Sequence, residues 1–337
     1  MKALVLKNPG EAGIELVPEP VRDPNQVLLR VQRVGFCGTD LNSFRGKNPL
    51  ITYPRILGHE VAATIIEESS LRPELHRGTD VMLSPYASCG SCPSCRRNRP
   101  NACQFNQTMG VQRDGALTEY IQAPVDKVFA ADLSITELCM VEPLTVGFHA
   151  VARGRVQAED TVAVIGCGGV GLGAVAGASF RGARTIAIDV DAAKLEIAKK
   201  AGAAHVINTA TESLEDRLHD LTEGFGPDVI IEAVGRPATF RAAVELVAFT
   251  GRVVYIGYAK EDVSYETRFF VQKELDIMGS RNALPENFRE VIRMLEEKRF
   301  PVSEYVTVTV PFEAAPEMLR QWSDAPDRFT KIMVRLD

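Results

Sequence analysis

The amino-acid sequence predicts an α/β protein of two domains, a barrel-like β domain and a doubly wound parallel sheet with helices on both faces. Three observations predict this fold class. The first 140 residues contain short strand-like segments separated by Gly and Pro, residues 161–285 alternate strand-like and helix-like segments, and a glycine-rich turn lies where the alternation begins. The chain has 337 residues, which is enough for two domains with sizeable cores.

The N-terminal part is predicted to consist of strands, because runs rich in β-branched residues end at Gly, Pro or polar clusters. These runs are MKALVL, VLLRVQRVGF, VAATIIEE, DVMLSP and ALTEYIQAP. Their spacing is typical of an all-β, barrel-like domain.

The second part is predicted to be a parallel sheet, because each strand-like segment is followed by a helix-like one. The strands are TVAVIG, RTIAID, HVIN, DVIIEAVG, RVVYIGY and ELDIMGS. Leu195, Ala198 and Ala201 share one face of the helix in DAAKLEIAKKAG, and Gly202 is suited to end that helix. After about residue 285, a helix (ENFREVIRMLEEK) and two strands (YVTVTV, TKIMVRL) could return to the first domain and make it discontinuous.

The uncharged run TVAVIGCGGVGLGAVAGASF, residues 161–180, has two competing interpretations. Twenty apolar residues can cross a bilayer, and Gly169, Gly173 and Gly177 repeat the small-residue spacing of packed membrane helices. A membrane helix here would contain six glycines, however. Each of them would lower helix propensity by about 1 kcal/mol relative to Ala, and no aromatic belt flanks the run. The sequence therefore favours a buried strand, TVAVI, followed by a tight turn that opens into a helix.

This glycine-rich turn is predicted to bind a dinucleotide. Its residues are Gly166, Gly168, Gly169, Val170 and Gly171. Glycines let the backbone approach a pyrophosphate, and the helix N-terminus supplies free N–H groups and the positive end of the helix dipole. Asp189 ends the next strand and is suited to accept hydrogen bonds from the adenosine ribose. An acidic residue there would repel a 2′-phosphate, so we expect NAD rather than NADP.

Charge and composition argue against several classes of partner. The net charge of −6 and the isoelectric point of about 5.6 give no general attraction for nucleic acid or anionic lipid. The N-terminal segment MKALVLKNPGEAG has neither a signal-peptide nor a transit-peptide pattern. We therefore expect a cytoplasmic protein with a small-molecule substrate and with no nucleic-acid or membrane partner.

Four of the seven cysteines form the pattern C-x2-C-x2-C-x7-C, and they are Cys89, Cys92, Cys95 and Cys103. In a reducing compartment this spacing indicates a metal rather than disulfides. Four thiolates on one loop can close a tetrahedral zinc site with no open position, so this zinc would be structural. The alternatives are an iron–sulfur cluster and a small nucleic-acid-binding module, whose positive charge would come from Arg96, Arg97 and Arg99.

A reactive metal site needs an open coordination position and therefore a second set of ligands. The candidates come from the segments GFCGTD, LGHE and CMVEPLTVGFHA, and they are Cys37, His59, Glu60 and Glu142. Taken singly, Cys37 could also be a buried apolar thiol, His59 a core histidine and Glu142 a hydrogen-bonding group.

Together these segments resemble the zinc-containing medium-chain alcohol dehydrogenases, in the branch of sorbitol, polyol and sugar-acid dehydrogenases. The resemblance spans essentially the whole chain and is carried by GFCGTD, YPRILGHE, the four-cysteine loop, DGALTEY, VEPLTVGFHA, VIGCGGVGLG, Asp189 and GSRNALPENF. It implies a GroES-like β-barrel catalytic domain, residues 1–145 and 286–337, and a Rossmann NAD-binding domain, residues 146–285. It also implies an active site in the cleft between them, and a homo-oligomer that is a dimer or a tetramer.

The resemblance implies how the catalytic zinc is held. Cys37, His59 and a glutamate would be its ligands. Glu142 occupies the place where the alcohol-using branch carries cysteine, and Glu60 can approach the metal in some states of the family. Which of the two glutamates is the resting ligand stays open at this point.

Further residues receive roles only through this resemblance. Asp40 matches the group that orients His59, and Thr39 matches the hydroxyl residue that takes the alcohol proton. The family often has a histidine at the position of Asn42, so the outer end of the proton relay differs here. Arg281 matches a basic residue near the cofactor and the active site, and His149 lies in a matching motif in which a structural role is equally expected.

The predicted function is a zinc-dependent oxidoreductase that transfers hydride from a secondary hydroxyl of a polyol, sugar or sugar acid, such as a galactonate or a polyol phosphate, to NAD. The zinc would act as a Lewis acid toward that hydroxyl. The alternatives are an enzyme like L-threonine 3-dehydrogenase and a non-catalytic NAD-binding scaffold. In the family, residues 41–56 line the substrate pocket. Arg45, Lys47 and Asn48 there could bind a carboxylate or phosphate, or could simply be solvated.

Overall fold

A computed structural model describes residues 1–336, and the chain divides into two compact units. Unit 1 comprises Met1–Glu142 and Val302–Asp337, and unit 2 comprises Pro143–Pro301. The sequence predicts domain boundaries after residues 145 and 285 instead. The unit boundaries therefore differ from the predicted ones by three residues at the first and by sixteen at the second, where the helix that begins at Pro285 lies in unit 2.

The described residues form strands, α-helices and single 3₁₀ turns. The strands are β1 (Lys2–Asn8), β2 (Glu11–Leu16), β3 (Gln26–Phe36), β4 (Arg55–Ile56), β5 (Glu60–Glu67), β6 (Asp80–Leu83), β7 (Tyr86–Ala87), β8 (Gln107–Thr108), β9 (Tyr120–Pro124), β10 (Val128–Ala130), β11 (Thr161–Ile165), β12 (Arg184–Asp189), β13 (His205–Asn208), β14 (Val229–Glu232), β15 (Arg252–Tyr255), β16 (Asp276–Gly279), β17 (Val308–Pro311) and β18 (Ile332–Arg335). The α-helices are α1 (Gly38–Phe44), α2 (Pro93–Arg96), α3 (Ile135–Arg153), α4 (Gly169–Phe180), α5 (Ala192–Lys200), α6 (Leu214–Leu221), α7 (Pro237–Leu246), α8 (Arg268–Gln272), α9 (Pro285–Glu296), α10 (Val302–Tyr305) and α11 (Ala315–Asp324). Single 3₁₀ turns are Pro100–Ala102, Val125–Lys127, Phe312–Ala314 and Pro326–Arg328.

Unit 1 is dominated by a seven-stranded sheet in the order β10-β6-β5-β3-β18-β17, with β9 also paired to β3. A three-stranded sheet, β2-β1-β4, and the β7-β8 pair complete it. The C-terminal strand β18 pairs antiparallel with β3, with Ile332 opposite Phe36, so the end of the chain lies in the same sheet as the N-terminal strands. The sequence predicts an all-β first domain, whereas α1 and α11 also belong to this unit.

Strand β3 shows how the sequence specifies this sheet. Val27, Leu29 and Val31 are buried at alternate positions, as expected for a strand with one face in the core. A register irregularity between Val31 and Arg33 shifts the alternation, and Val34 is the next buried residue. The irregularity thereby keeps the apolar side chains on the core face along the full length of the strand.

Unit 2 contains a parallel six-stranded sheet in the order β13-β12-β11-β14-β15-β16. The uncharged run at 161–180 forms the central strand β11, then a turn, then helix α4, as the sequence predicts. The strand order reverses direction at β11, and in open parallel sheets the carboxyl edge at such a point is where ligands bind.

Helix α3 is the one helix in residues 1–336 whose length and composition would allow it to cross a membrane. Of its apolar window, 72% is buried inside the protein. A helix that is apolar on all sides and buried is typical of a protein core.

The glycines of α4 let it approach α3 closely. A Cβ at Gly147 of α3 would lie 2.1 Å from a backbone nitrogen of α4, and a Cβ at Gly173 would lie 2.7 Å from the Leu144 carbonyl oxygen. A Cβ at Gly177 would lie 3.1 Å from an aromatic ring carbon of α3. The small-residue spacing that resembles a membrane motif therefore serves helix packing inside unit 2.

We expect Gly147→Ala to lower the free energy of unfolding by about 1–3 kcal/mol, because the added methyl group must displace the α4 backbone. Urea unfolding of the full chain measures this change. Gly279→Ala is the matched control, since a Cβ at Gly279 has no heavy atom within 4 Å, and its effect should stay within about 0.5 kcal/mol. Equal stability of the two variants would contradict the close helix packing.

Candidate functional site

The four-cysteine loop extends from a small two-stranded sheet. Strands β7 and β8 pair antiparallel, with Tyr86 opposite Thr108. The two ends of the loop formed by residues 88–106 therefore lie next to each other. Within the loop, Cys92 stands at the N-terminal cap of α2 and Pro93 takes the first helical position, where its missing N–H is not needed. The short helix directs neighbouring cysteine side chains toward one point.

The sulfur positions fit a tetrahedral zinc ion. Sγ–Sγ distances are 3.5 Å for Cys92–Cys95, 3.8 Å for Cys92–Cys103 and 3.6 Å for Cys103–Cys89. A disulfide needs about 2.05 Å between sulfurs, whereas four sulfurs about 2.3 Å from one zinc are about 3.8 Å apart. An iron–sulfur cluster places several irons and sulfides between its thiolates and therefore needs a wider spacing. The spacing excludes the disulfide and favours a single ion.

Hydrogen bonds lower the pKa of Cys89 and Cys92 and so favour their thiolates, whereas burial and the neighbouring cysteines raise the pKa of Cys95 to about 11. The Cys89 N–H donates to the Cys103 Sγ at 3.3 Å, and the Cys92 N–H donates to the Cys89 Sγ at 3.4 Å. Hydrogen bonding, first from the Ser94 hydroxyl, lowers the pKa of Cys92 to about 5. Because metals bind the deprotonated thiol, these bonds prepare the loop for a cation.

A second group of ligand-type residues converges in unit 1. Ligand atoms of Cys37, His59 and Glu60 all lie within 4.8 Å of one another. Cys37 directly follows β3 and caps α1, while His59 directly precedes β5 and Glu60 begins it. Strands β3 and β5 pair antiparallel with Gly35 opposite Glu60, and this register brings residues from both strand ends together. His59 and Glu60 are buried.

The Glu60 carboxylate is tightly enclosed. A Cβ at Gly35 would lie 2.0 Å from Glu60 Oε2, so the side chain occupies space that only glycine leaves open. Lys331, just before β18, donates from Nζ to both Glu60 oxygens at 2.7 Å and to the Phe36 carbonyl at 3.3 Å. Reasoning from the sequence missed Lys331, whose only signal there is a lysine at the start of an apolar strand.

Glu142 lies beside this group in helix α3 and is also buried. The Tyr86 hydroxyl donates a short buried hydrogen bond to Glu142 Oε1. Glu142 is not part of the group whose ligand atoms lie within 4.8 Å, but its charge acts on the pKa of His59. Tyr86 is the second residue that sequence reasoning missed, and its position three residues before Cys89 is the only signal.

The directions of the pKa shifts indicate that burial and neighbouring acidic groups make negative charge unfavourable in this region. Burial raises the pKa of Glu142 to about 7, and burial also raises the pKa of Glu60 despite the nearby Lys331 ammonium. Burial alone would lower the pKa of His59, but the Asp40 carboxylate and the Cys37 thiol raise it overall. A bound divalent cation would offset this charge, so the donor set fits a metal site.

Asp40 and Thr39 occupy the first turn of α1 beside these ligands. Asp40 Oδ1 and His59 Nδ1 are 3.7 Å apart, and both atoms are buried without a hydrogen bond in the described residues. Asp40 Oδ2 accepts a 2.9 Å hydrogen bond from the Cys37 N–H and so fixes the start of the helix. The Thr39 hydroxyl oxygen lies 3.7 Å from the Cys37 Sγ.

Two of the polar side chains in residues 41–56 serve the local structure. Arg45 Nε donates to the Ser323 hydroxyl at 3.1 Å, and Asn48 Nδ2 donates to the Ser43 hydroxyl at 2.9 Å. Lys47 is exposed. Arg45 and Asn48 thus already form hydrogen bonds within unit 1. This favours the interpretation that the region does not bind an anion.

The glycine-rich turn has the strained, close geometry that glycine allows. Gly166 has a φ of 96°, and its N–H donates to the Ile188 carbonyl at 2.7 Å. A Cβ at Gly171 would lie 1.8 Å from the Gly166 carbonyl oxygen. Gly168 caps α4, which begins at Gly169, followed by the half-buried Val170. The free N–H groups of the first helical turn therefore face the carboxyl edge of the sheet.

Asp189 ends β12 beside this turn. Its Oδ2 accepts a hydrogen bond from the Cys167 N–H at 2.7 Å, and its Oδ1 accepts from the Val190 N–H at 2.8 Å. Lys194, the nearest basic residue ahead, lies 3.8 Å from the Asp191 carboxylate. The carboxylate is therefore held in one orientation, and the adjacent lysine is paired with another acid.

Arg281 and His149 belong to unit 2. Arg281 is exposed just after β16. His149 is buried, and its Nδ1 lies 3.0 Å from the Asn287 Oδ1, which also accepts a hydrogen bond from the Leu284 N–H. These contacts of His149 link α3 to the start of α9 and support a structural role.

Comparison with known proteins gives two family matches. The model described as "Alcohol dehydrogenase GroES-like domain" matches residues 23–132, and the model described as "Zinc-binding dehydrogenase" matches residues 169–297. A zinc-type alcohol dehydrogenase-like protein from Haemophilus influenzae is 34% identical, with 98% of both chains covered. The L-galactonate-5-dehydrogenase of Escherichia coli is 31% identical over 94% of both chains. The sorbitol dehydrogenase of Bacillus subtilis is 37% identical over 83% of this chain and 81% of its own.

Solved structures share the whole fold. The crystal structure of an alcohol dehydrogenase from Escherichia coli CFT073, complexed with NADH, has a TM-score of 0.91 and 27% identity and covers 100% of this chain and 99% of its own. A structure from Sinorhizobium meliloti 1021, bound to NADP, also has a TM-score of 0.91 and 27% identity, with 99% of both chains covered. Both nicotinamide cofactors therefore occur among similar structures.

The four-cysteine geometry predicts that Cys103→Ser lowers the zinc content by one ion per chain and destabilises the protein, because the remaining thiolates cannot complete a tetrahedral site. Zinc analysis of the purified chain and thermal unfolding measure the two effects. Cys167→Ala, which removes another buried thiol, should keep its zinc. An unchanged zinc content in Cys103→Ser would contradict the assignment.

Proposed function

The chain belongs to the zinc-containing medium-chain alcohol dehydrogenases, and we propose that it oxidises a secondary hydroxyl of a polyol, sugar or sugar acid with NAD as the hydride acceptor. As a member of this family it is a zinc-dependent oxidoreductase that uses a nicotinamide cofactor. The observation that carries the proposal is the convergence of the half-buried Cys37 with the buried His59 and Glu60 at the ends of two paired strands.

In this proposal Cys37, His59 and Glu142 hold the catalytic zinc. One thiolate, one imidazole and one carboxylate suit Zn²⁺ and leave a coordination position open. Glu60 lies closer to the other ligand atoms, but both of its oxygens bond Lys331. In this proposal Glu142, whose charge acts on His59, supplies the resting carboxylate ligand, and Glu60 stays in reserve.

Zn²⁺ bound at these ligands supplies a Lewis acid that lowers the pKa of a substrate hydroxyl. The Thr39 hydroxyl would accept the proton of that hydroxyl while passing its own proton outward, and its 3.7 Å distance from the Cys37 Sγ supports this role. Asn42 is exposed, and its amide cannot take up and release a proton as a histidine can. In this proposal the proton therefore leaves through solvent or through the cofactor ribose. Asp40 fixes α1, and with it Thr39, by accepting from the Cys37 N–H.

NAD is the proposed cofactor because of Asp189. Its carboxylate is oriented by backbone N–H groups and retains lone pairs that can accept from a ribose hydroxyl pair. A 2′-phosphate at the same place would meet a negative charge, with Lys194 already beside Asp191. Gly166, Gly168, Gly169, Val170 and Gly171 bind the pyrophosphate in this proposal, and Arg281 lies near the cofactor.

The proposed substrate class follows the similar enzymes named above, which act on a galactonate and on sorbitol. Arg45 and Asn48 are engaged within the protein, which favours a neutral polyol or sugar over a phosphorylated one. A screen of NAD reduction across polyols, aldonates, sugar phosphates and threonine, with and without a chelator, tests this class. If threonine is oxidised and none of the other compounds is, the proposed substrate class is wrong. Activity that survives complete metal removal would overturn the zinc mechanism.

Cys37→Ser is expected to lose the catalytic zinc but keep the structural one, and to lower kcat/KM by more than about 100-fold, since a ligand contributes at least as much as its supporting groups. Zinc analysis and steady-state kinetics measure these effects. Cys139→Ala is the matched control, because it removes another buried thiol of unit 1. This thiol donates to the backbone oxygen of Glu60 and not to its carboxylate. A Cys37→Ser enzyme with full zinc and full turnover would remove the proposed site.

Asp189→Asn should weaken NAD use and improve NADP use relative to NAD by about 10-fold or more, because it removes both a charged acceptor and a repulsive charge. The ratio of kcat/KM for the two cofactors measures the change. Asp220→Asn is the control, since it removes an exposed carboxylate in α6 that lies beside Arg217. A wild-type preference for NADP would show that Asp189 does not select the cofactor.

A further inference from the structure

Glu232 is a buried carboxylate of unit 2 that has no role in the sites described above. It ends β14 at the carboxyl edge of the parallel sheet and is 0% exposed. Its Oε1 accepts three hydrogen bonds, from the Val234 N–H at 2.9 Å, the Gly235 N–H at 2.8 Å and the Thr239 hydroxyl at 2.7 Å. Its Oε2 is buried and has no hydrogen-bond partner within residues 1–336. The carboxylate therefore serves the turn that directly follows its own strand.

The unpartnered oxygen makes this carboxylate costly for stability. Burial of a charged group is favourable only when hydrogen bonds or an opposite charge compensate it, and Oε2 has no donor. The negative charge does, however, strengthen the three bonds to Oε1, because hydrogen bonds to an ionised acceptor are about twice as strong as neutral ones. The presence of a charge at this position is therefore explained by the need to hold the turn firmly.

The turn formed by residues 233–235 lies against the glycine-rich turn. A Cβ at Gly166 would lie 2.6 Å from Val234 Cγ2, and a Cβ at Gly171 would lie 3.5 Å from the Ala233 Cβ. The two turns follow the neighbouring strands β11 and β14, where the strand order reverses. Dinucleotides bind in the crevice outside the carboxyl ends of such strands. The 233–235 turn is therefore the wall of that crevice opposite the glycine-rich turn.

Glu232 also joins the turn that follows β15. Its carbonyl oxygen accepts from the Ile256 N–H at 2.9 Å and from the Gly257 N–H at 3.2 Å. A Cβ at Gly257 would lie 2.5 Å from Glu232 Oε2, so no side chain fits between the carboxylate and this second turn. One residue thereby fixes two neighbouring turns at the carboxyl edge of the sheet.

We propose that Glu232 is a positioning residue for the cofactor, which holds the 233–235 turn at a fixed distance from the glycine-rich turn and so sets the width of the crevice that a nicotinamide dinucleotide enters. This inference rests on the proposed binding of the dinucleotide at the glycine-rich turn. Glu232 acts through the backbone of Val234 and Gly235 and takes no part in the chemical step.

The test is the variant Glu232→Gln, which keeps the size of the side chain and removes its charge. We expect the Kd for NADH, measured from the fluorescence of the bound nicotinamide, to rise by about 10-fold, because the three bonds to Oε1 weaken together. The KM for NAD should rise more than kcat falls, since the reacting groups are unchanged. NADPH is titrated in the same way, and the thermal unfolding midpoint of each variant is measured alongside.

Asp228→Asn is the matched control. Asp228 directly precedes β14, and its Oδ2 accepts from the Thr161 N–H at 2.7 Å, so it joins the same two strands at the amino edge of the sheet. This variant also removes the charge of a carboxylate that bonds a backbone N–H, but it leaves the 233–235 turn unchanged. Its Kd for NADH should stay within about 2-fold of the wild-type value. Equal weakening of NADH binding in Glu232→Gln and Asp228→Asn would overturn the proposal, because it would reflect stability alone.

Thr239→Val tests the same carboxylate even if Glu232→Gln does not fold. It removes one of the three donors to Oε1 and leaves the two backbone donors in place. We expect a smaller rise in the Kd for NADH, of about 2–5-fold. A Kd equal to that of the wild type in Thr239→Val, together with an unfolded or a normally binding Glu232→Gln, would also overturn the positioning role.

The wild-type titration separates this inference from the proposed function. If the wild type binds neither NADH nor NADPH, the proposed function fails and this inference fails with it. If the wild type binds a dinucleotide and Glu232→Gln binds it equally well, only the positioning role is wrong. A raised Kd in Glu232→Gln, with an unchanged Kd in Asp228→Asn, supports the positioning role.

Discussion

The antiparallel pairing of β3 and β5 is the constraint on which the candidate catalytic site depends. The register sets Gly35 opposite Glu60, and the residues just beyond the two strand ends are Cys37 and His59. A slip of one residue would turn every side chain of a strand to the other face and would separate these ligand atoms. The alternation of apolar residues along β3 fixes the register, so the core of unit 1 also assembles the site.

The pairing of buried charges is the second constraint, and it joins Glu60 to Lys331 near the C-terminus. Glu60 would be a buried carboxylate without a cationic partner if Lys331 were absent. Lys331 directly precedes the last strand and lies 271 positions away in the chain. Removing one partner of such a pair leaves an uncompensated charge, typically at a cost of about 3–5 kcal/mol. Lys331 offsets one acid only, and the proposed zinc ion would balance the negative charge of the other buried acidic groups of this site, Asp40 and Glu142.

Much of the fold and half of the candidate site could be predicted from local patterns. The alternation of strands and helices, the turn from Gly166 to Gly171 and the four-cysteine spacing are short-range signals, because each depends on residues within about thirty positions. Helix α1 in the β-rich unit was not predicted, because its segment is only seven residues long. Helix α11 was also missed, although its buried residues Ala315, Met318, Leu319 and Trp322 follow a helical period. The ligand roles of Cys37, His59 and Glu142 came from resemblance, because each residue alone fits an ordinary buried position.

The sequence by itself determined the family, the glycine turn, Asp189 and the cysteine loop, because these features depend on residue types at short, fixed spacing. Only the tertiary structure decided that Lys331 bonds Glu60 and that the Tyr86 hydroxyl donates to Glu142. It also decided that Arg45 is engaged by Ser323. Each of these contacts joins residues far apart in the chain. The register of strands and the packing of buried polar groups bring such residues together, and no local pattern records which partner a buried charge will meet.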